Sequence, residues 1–223
     1  LSLELAPDGR AVVFGVEADG PSSTWEVAIT GGLARKLGRG VPVAVSPSGD
    51  TVLSLIRRAP AHSDLTAYRR DGTDQRLVHA FRGALIPRSA EFLDEAEVLV
   101  SLTDGLRISR LVSVRLSDGA AETITEVAGV AESGLAVPDA PRCAVWCIRR
   151  SPESLFLAGV THLGSGGFRV MLAGPSVSEP SVCQDGHRLL LTTQDHTSEL
   201  VEVEVDPGGD PPTSGYRVLP HTR

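Results

Sequence analysis

The sequence predicts an all-β fold, a β-propeller with five four-stranded blades visible across its 223 residues. Three observations predict it: a turn motif that recurs with a steady period, a second turn at a fixed offset from the first, and β-rich segments flanking both. No segment carries a helical period of useful length.

The first turn appears most clearly in LELAPDGRAVVF (Leu3 to Phe14), VAVSPSGDTVLSL (Val43 to Leu55) and PSVCQDGHRLLLT (Pro180 to Thr192). Looser copies are AEFLDEAEVLVSL (Ala90 to Leu102) and GLAVPDAPRCAVWCI (Gly134 to Ile148). Aligned on the turn, Asp8, Ser48, Asp94, Asp139 and Asp185 stand 40, 46, 45 and 46 residues apart. The second turn holds Gly31-Gly32, Asp71-Gly72, Asp118-Gly119, Gly164 and Gly208-Gly209, 23 to 25 residues after each anchor.

In each copy a third strand precedes the second turn: WEVAI, LTAYR, LVSVRL, LFLAGVT and LVEVEV. A fourth follows it: ARKLG, QRLVHAF, TITEVAG, FRVMLAG and YRVLP. Several alternate apolar and polar residues, as half-buried strands do. The blades fall at about 1–40, 41–83, 84–130, 131–175 and 176–223, and the Pro/Gly-rich 206–215 stretch reads as a long turn within the last blade, so one domain is expected. A β-sandwich is the alternative, but it gives no reason for two independent offsets to persist through five copies.

The turns Ala6-Pro7-Asp8-Gly9, Ser46-Pro47-Ser48-Gly49 and Gln184-Asp185-Gly186 resemble the repeat of TolB-type bacterial propellers, in which such a turn joins the first two strands of a blade. The resemblance runs from Leu3 to about Leu219; Asp94-Glu95 and Asp139-Ala140 depart from it. The Trp-Asp and Gly-His signatures of eukaryotic WD repeats are absent. It implies a ring of six blades, with relatives of seven or eight. Five are visible here, so the ring is either five-bladed or continues outside this sequence. A chain that opens on Leu1 rather than Met, almost inside a blade, favours continuation.

Composition narrows the function. The chain is 41% hydrophobic but 4% aromatic, so its core is built from Val, Leu, Ile and Ala. A net charge of −7 argues against generic nucleic-acid or anionic-membrane binding, and no apolar stretch is long enough for a membrane helix. Lys36 stands alone against 20 arginines, a bias of high-GC bacteria, and Asn is absent. Cys143 and Cys147 on one strand would lie about 13 Å apart, too far for a disulfide or a shared metal. With Cys183 they read as buried, inert thiols.

No reaction can be assigned. Gly164-Ser165-Gly166-Gly167 is not a nucleophile elbow, and no P-loop, dinucleotide fingerprint or metal spacing occurs. Six-bladed lactonases share the architecture, but their axial calcium site uses Asn, which this chain lacks. No catalytic residue, metal or cofactor is expected. The histidines His62, His79, His162, His187 and His221 show no paired spacing and read as surface or turn residues.

One motif remains. Ile56-Arg57-Arg58-Ala59-Pro60 and Ile148-Arg149-Arg150-Ser151-Pro152 recur at the loop between strands two and three of their blades, with Arg107 and Arg110 in the matching region of the third. That loop opens on the same face as the connections between blades, where propellers commonly meet ligands. Either the repeats share ancestry and charged hairpin tips, or Arg57, Arg58, Arg107, Arg149 and Arg150 form a patch for carboxylate or phosphate groups. Glu17, Asp19, Asp195 and His196 share the face. First-strand positions Glu4, Val43, Glu91, Gly134 and Ser181 would line a central channel. The expected function is a non-catalytic interaction module for a protein, peptide or acidic ligand. The alternative is the substrate-gating propeller of a prolyl-oligopeptidase-like peptidase whose catalytic domain lies outside this sequence.

Overall fold

A computed structural model describes residues 3–17, 21–137, 143–150, 155–174, 177–182, 188–195, 197–204 and 216–219. Its elements are all strands, gathered into five four-stranded sheets in which neighbours follow chain order. The first sheet holds β1 (Leu3–Leu5), β2 (Ala11–Val16), β3 (Ser23–Ala28) and β4 (Arg35–Arg39). The second holds β5 (Val41–Val45), β6 (Thr51–Ala59), β7 (His62–Arg69) and β8 (Arg76–Arg82). The third holds β9 (Ile86–Phe92), β10 (Glu97–Thr103), β11 (Ile108–Arg115) and β12 (Ala121–Ala128). The fourth holds β13 (Val130–Ala136), β14 (Cys143–Arg150), β15 (Leu155–His162) and β16 (Phe168–Gly174). The fifth holds β17 (Val177–Val182), β18 (Arg188–Asp195), β19 (Thr197–Glu204) and β20 (Tyr216–Leu219). These are the five four-stranded blades that the turn spacing predicts.

The chain divides into two compact units, Leu1–Leu99 with Ser113–Glu122, and Val100–Val112 with Thr123–Arg223. Central strands in both read as apolar runs rather than alternations, because their two faces are covered. In β14, Cys143 to Ile148 are all fully buried. In the first unit Val13, Leu37, Val45, Val52 and Tyr68 form one apolar cluster. In the second, Cys143, Val145, Cys147, Val160 and Leu191 form another, with Phe156 and Met171 against it. Trp146 satisfies its only polar atom there, its Nε1 donating to Thr161 Oγ1 at 3.0 Å.

The first turns show why the motif repeats and where it breaks. In the first two sheets the Ala6 and Ser46 amides donate to the carbonyls of Ala11 and Thr51, and Gly9 and Gly49 donate back to Ala6 and Ser46. In the third, Leu93 donates to Glu97, one residue nearer, and the Asp94 carboxylate accepts from the amides of Ala96 and Glu97. A shorter turn closed by a side chain has no left-handed position to fill, so Glu95 stands where glycine was expected. In the fourth sheet the second turn includes Gly164, and its left-handed residue is Gly166, with φ of 70°. Residues 138–142, 183–187 and 205–215, which include Asp139, Asp185, Cys183 and the Gly208-Gly209 turn, lie outside the described residues.

Each described crossing between consecutive sheets within a unit passes through a clasp that the turn motif does not reveal. Gly40, Gly83 and Gly129 all have positive φ, and their amides donate to the carbonyls of Ser22, Ala61 and Arg107, just before the third strand of the blade being left. Two residues further on, a hydroxyl secures the glycine carbonyl: Thr24 Oγ1 donates to Gly40 at 2.9 Å, and Ser109 Oγ to Gly129 at 2.8 Å. Thr24 is also linked to Ser54, and Ser54 to Tyr68. Since each hydroxyl has one proton, the chain runs from Tyr68 to Ser54 to Thr24 to the Gly40 carbonyl, tying the first blade to the second through buried groups.

At Gly40 and Gly129 the incoming blade closes the clasp from the other side, while the space around Gly83 is open. A Cβ at Gly40 would lie 2.8 Å from the Leu55 carbonyl oxygen and 2.9 Å from Ile56 Cγ1. One at Gly129 would lie 2.3 Å from Ile148 Cγ2 and 2.9 Å from the Arg149 oxygen. Ile56 and Ile148 are the two isoleucines of the repeated Ile-Arg-Arg segment, so that residue recurs because it backs the glycine. A surface network adds to the join in the first unit. Glu26 pairs with Arg35 at 2.7 Å and with Arg70, which also reaches Asp8 at 3.3 Å. Burial pushes the Glu26 carboxyl up, but its bonds to the two arginines outweigh that and hold it below the usual range.

Gly129→Ala should cost roughly 2–4 kcal/mol in urea unfolding, from left-handed strain plus overpacking. Gly31→Ala, with positive φ but open space around it, should cost only about 1–2 kcal/mol.

Candidate functional site

The Gly40 clasp shapes the site. It fixes the path on which Arg39 ends the first sheet and Val41 begins the second, and beside it the first unit holds a cavity of about 460 Å³. Among the described residues four arginines line it, Arg39, Arg57, Arg58 and Arg88, against one glutamate, Glu17. Its other walls are half-buried aliphatic groups, among them Val41, Val43, Leu55, Ile56, Ile86 and Pro87.

The Ile-Arg-Arg segment lies on strand rather than loop. β6 continues to Ala59, with Arg57 paired in register with Ser63, and β14 continues to Arg150, with Arg149 opposite Phe156. The strands outrun the covered part of their sheets, so burial fades along β6 and its last three residues are exposed. Arg57 and Arg58, on that exposed end of β6, both line the cavity.

The four arginines differ in their freedom. Arg58 Nε donates to Asp64 at 2.7 Å, and His62 lies 3.0 Å from the same carboxylate. Burial pushes the Asp64 carboxyl up, but Arg58 and then His62 more than offset it and keep it ionised. Arg39, Arg57 and Arg88 are exposed and form no ion pair among the described residues. Three unneutralised guanidinium groups beside an aliphatic wall make a locally cationic pocket on a chain of net charge −7. Guanidinium forks of this kind hold carboxylate or phosphate oxygens by paired hydrogen bonds.

Arg107, Arg149 and Arg150 belong to the second unit. Arg149 is held by Glu132 at 2.8 Å and Arg110 by Glu126 at 2.6 Å, whereas Arg107 and Arg150 are exposed without an acidic partner among the described residues. The Arg107 backbone is fixed, its amide donating to Asp104 at 2.7 Å and its carbonyl accepting from Gly129 at 2.6 Å. Of the acidic candidates, Glu17 lines the cavity, while Asp19, His196 and the Ser151-Pro152 pair lie outside the described residues. Arg39 and Arg88 were not singled out from sequence. Their signal was the connection between blades, which shares this face and carries Arg39 directly before the clasp glycine.

Two histidines read as surface residues prove half-buried and engaged. His62 faces Asp64, and His79 Nδ1 lies 2.8 Å from the Gly119 carbonyl oxygen. Cys143 and Cys147 are free and fully buried, and burial pushes the Cys147 thiol up to about 12, so it stays protonated and unreactive. Among the described residues no three His, Cys, Asp or Glu side chains gather to hold a metal.

The first-strand acids of this unit are coupled. Burial, with the charge of Glu4 adding to it, pushes the Glu91 carboxyl up to about 8, and burial pushes Glu4 up to about 7.

No family model matches the chain, and no curated protein matches it. Solved structures do. A TolB from Acinetobacter baumannii superposes with a TM-score of 0.71 at 12% identity, over 95% of this chain and 53% of that one. A nidogen/laminin complex gives 0.70 at 14% identity, covering 91% and 74%. A puromycin hydrolase gives 0.67 at 18% identity, covering 91% and 35%. The chain thus has the β-propeller fold seen in TolB, and spans about half the length of that TolB.

The coupled acids set a pH dependence. Folding raises both carboxyls above their ordinary 4.5, so the folded chain binds more protons. Stability from this source is full below about pH 4.5 and falls as pH rises through about 7 and about 8. Glu91→Gln should therefore melt about 5 °C above the unsubstituted chain at about pH 8.5, with the gap closing toward about pH 5.

Proposed function

We propose that this β-propeller is a non-catalytic interaction module that binds a protein or peptide through an anionic group in the arginine-lined cavity of its first unit. One observation carries the reading: Arg39, Arg57 and Arg88 converge on a cavity of about 460 Å³ without acidic partners among the described residues. Leaving three like charges together gains the fold nothing, whereas an arriving carboxylate or phosphate would satisfy them. The overall charge of −7 sharpens selectivity, since it disfavours an acidic partner away from such unpaired arginines. The volume sits within the range of about 300–1,000 Å³ common to ligand pockets. The likeness to the nidogen/laminin complex supports a fold that can serve protein contacts.

A second reading rests on the likeness to the puromycin hydrolase, about a third of whose length this chain covers. On that reading the propeller gates a peptidase domain, and the same cavity meets substrates on their way to it. A reading frame carrying Gly-x-Ser-x-Gly followed by Asp and His beyond Arg223 would favour gating.

The binding reading is tested with a fluorescent hexaglutamate peptide against hexaglutamine, by anisotropy at two salt concentrations. The glutamate peptide should bind at least about tenfold tighter. The triple variant R39Q/R57Q/R88Q should abolish that preference without lowering the melting temperature. Equal affinity for both peptides, or a preference unchanged in the variant, would remove the site.

A further inference from the structure

We infer that the cavity takes the C-terminal residue of a peptide, its α-carboxylate at the arginines and an aliphatic side chain against the wall. This rests on the anionic-ligand reading above and names which anion the shape selects.

The cavity has two chemistries at two depths. Arg39, Arg57 and Arg88 are exposed and form its rim, while Val41, Val43, Leu55 and Ile86 are half-buried and form its floor. A ligand that fills both must carry negative charge and apolar bulk close together. In a C-terminal Leu, Ile or Val the carboxylate and the branched side chain share one carbon, so a single residue spans rim and floor. An internal Asp or Glu spends its side chain on the charge and leaves the aliphatic floor wet. A small polycarboxylate or inorganic phosphate satisfies the rim and leaves the floor empty.

The remaining walls exclude other classes. Among the described residues no aromatic side chain lines the cavity, so they offer no aromatic stacking platform for a nucleobase. Among the described residues Glu17 is its one carboxylate, too little to hold a peptide's N-terminal amine against three unpaired arginines. The register explains the persistence of the floor. Val41 stands opposite Leu55 in the β5–β6 pair, and the Gly40 clasp anchors both.

The test uses four N-terminally labelled peptides and the full chain. They are Gly-Ser-Gly-Ala-Leu with a free carboxylate, its C-terminal amide, Gly-Ser-Gly-Ala-Gly with a free carboxylate, and Gly-Glu-Glu-Ala-Leu as the amide. The free-acid leucine peptide should bind at least about tenfold tighter than its amide, as expected for a charge-assisted guanidinium pair. It should bind about tenfold tighter than the glycine-ended acid, as expected for burial of a leucine side chain. In R39Q/R57Q, whose side chains have no ion pair to lose, the advantage of acid over amide should vanish. Equal binding of acid and amide overturns the inference. If the glutamate-bearing amide binds as well as the free acid, the inference falls while the anionic-ligand reading stands. If none of the four binds and hexaglutamate also fails, both fall.

Discussion

At two of the three described crossings between blades the fold depends on a residue that no side chain could replace, whereas the space around Gly83, at the third, is open. At Gly40 and Gly129 the backbone is left-handed, the amide and carbonyl are both held by the blade being left, and the incoming blade packs onto the bare Cα. A Cβ would strike a carbonyl oxygen and an isoleucine methylene or methyl at once. This contact turns a row of hairpins into stacked sheets, because it fixes where the first strand of the next blade must start. The buried hydroxyl chain from Tyr68 through Ser54 to Thr24 is the polar lining of the same joint. It satisfies the glycine carbonyl where water cannot reach, as a buried polar group requires.

The candidate site follows from that joint. Arg39 and Val41 flank Gly40, and Ile56 packs on it, so the clasp positions one rim arginine, one floor valine and the strand that brings Arg57 and Arg58. Arg88 arrives on the first strand of the following blade. The proposed function is thus grafted onto residues beside a structural constraint, with their charge left free of it. The same repeated segment in the fourth blade shows the contrast. Ile148 backs Gly129 as Ile56 backs Gly40, but there the first arginine is neutralised by Glu132, while in the second blade the second arginine is neutralised by Asp64. The isoleucine is common to the architecture, and the free arginines differ from blade to blade.

Legibility followed locality. Strands and turns could be read because a hairpin turn states its geometry in adjacent residues, as in Ala6-Pro7-Asp8-Gly9. Where the third blade shortened its turn by one residue and closed it with the Asp94 carboxylate, only the spacing betrayed it. Arg57 and Arg58 were visible because they recur with Arg149 and Arg150. Arg39 and Arg88 were not: Arg39 sits in an Arg-Gly pair that recurs at Arg82-Gly83 but marks a turn rather than a site, Arg88 belongs to no repeat, and only folding brings the two to the same wall. The Glu26–Arg70 pair, 44 residues apart, was hidden for the same reason, since nothing in the sequence says which faces of two blades meet. The strand placement of Ile-Arg-Arg was missed because charged residues in an apolar pattern look like a loop, and only the burial gradient along β6 shows a hairpin extending past its covered sheet.

A fold constraint leaves three arginines without ion pairs among the described residues around one cavity, placed to hold an oxyanion. Anomalous diffraction from crystals soaked in selenate tests it most directly. The account predicts a selenium peak in the cavity within hydrogen-bonding reach of at least two of Arg39, Arg57 and Arg88. Selenate bound elsewhere on the chain with the cavity empty would contradict it.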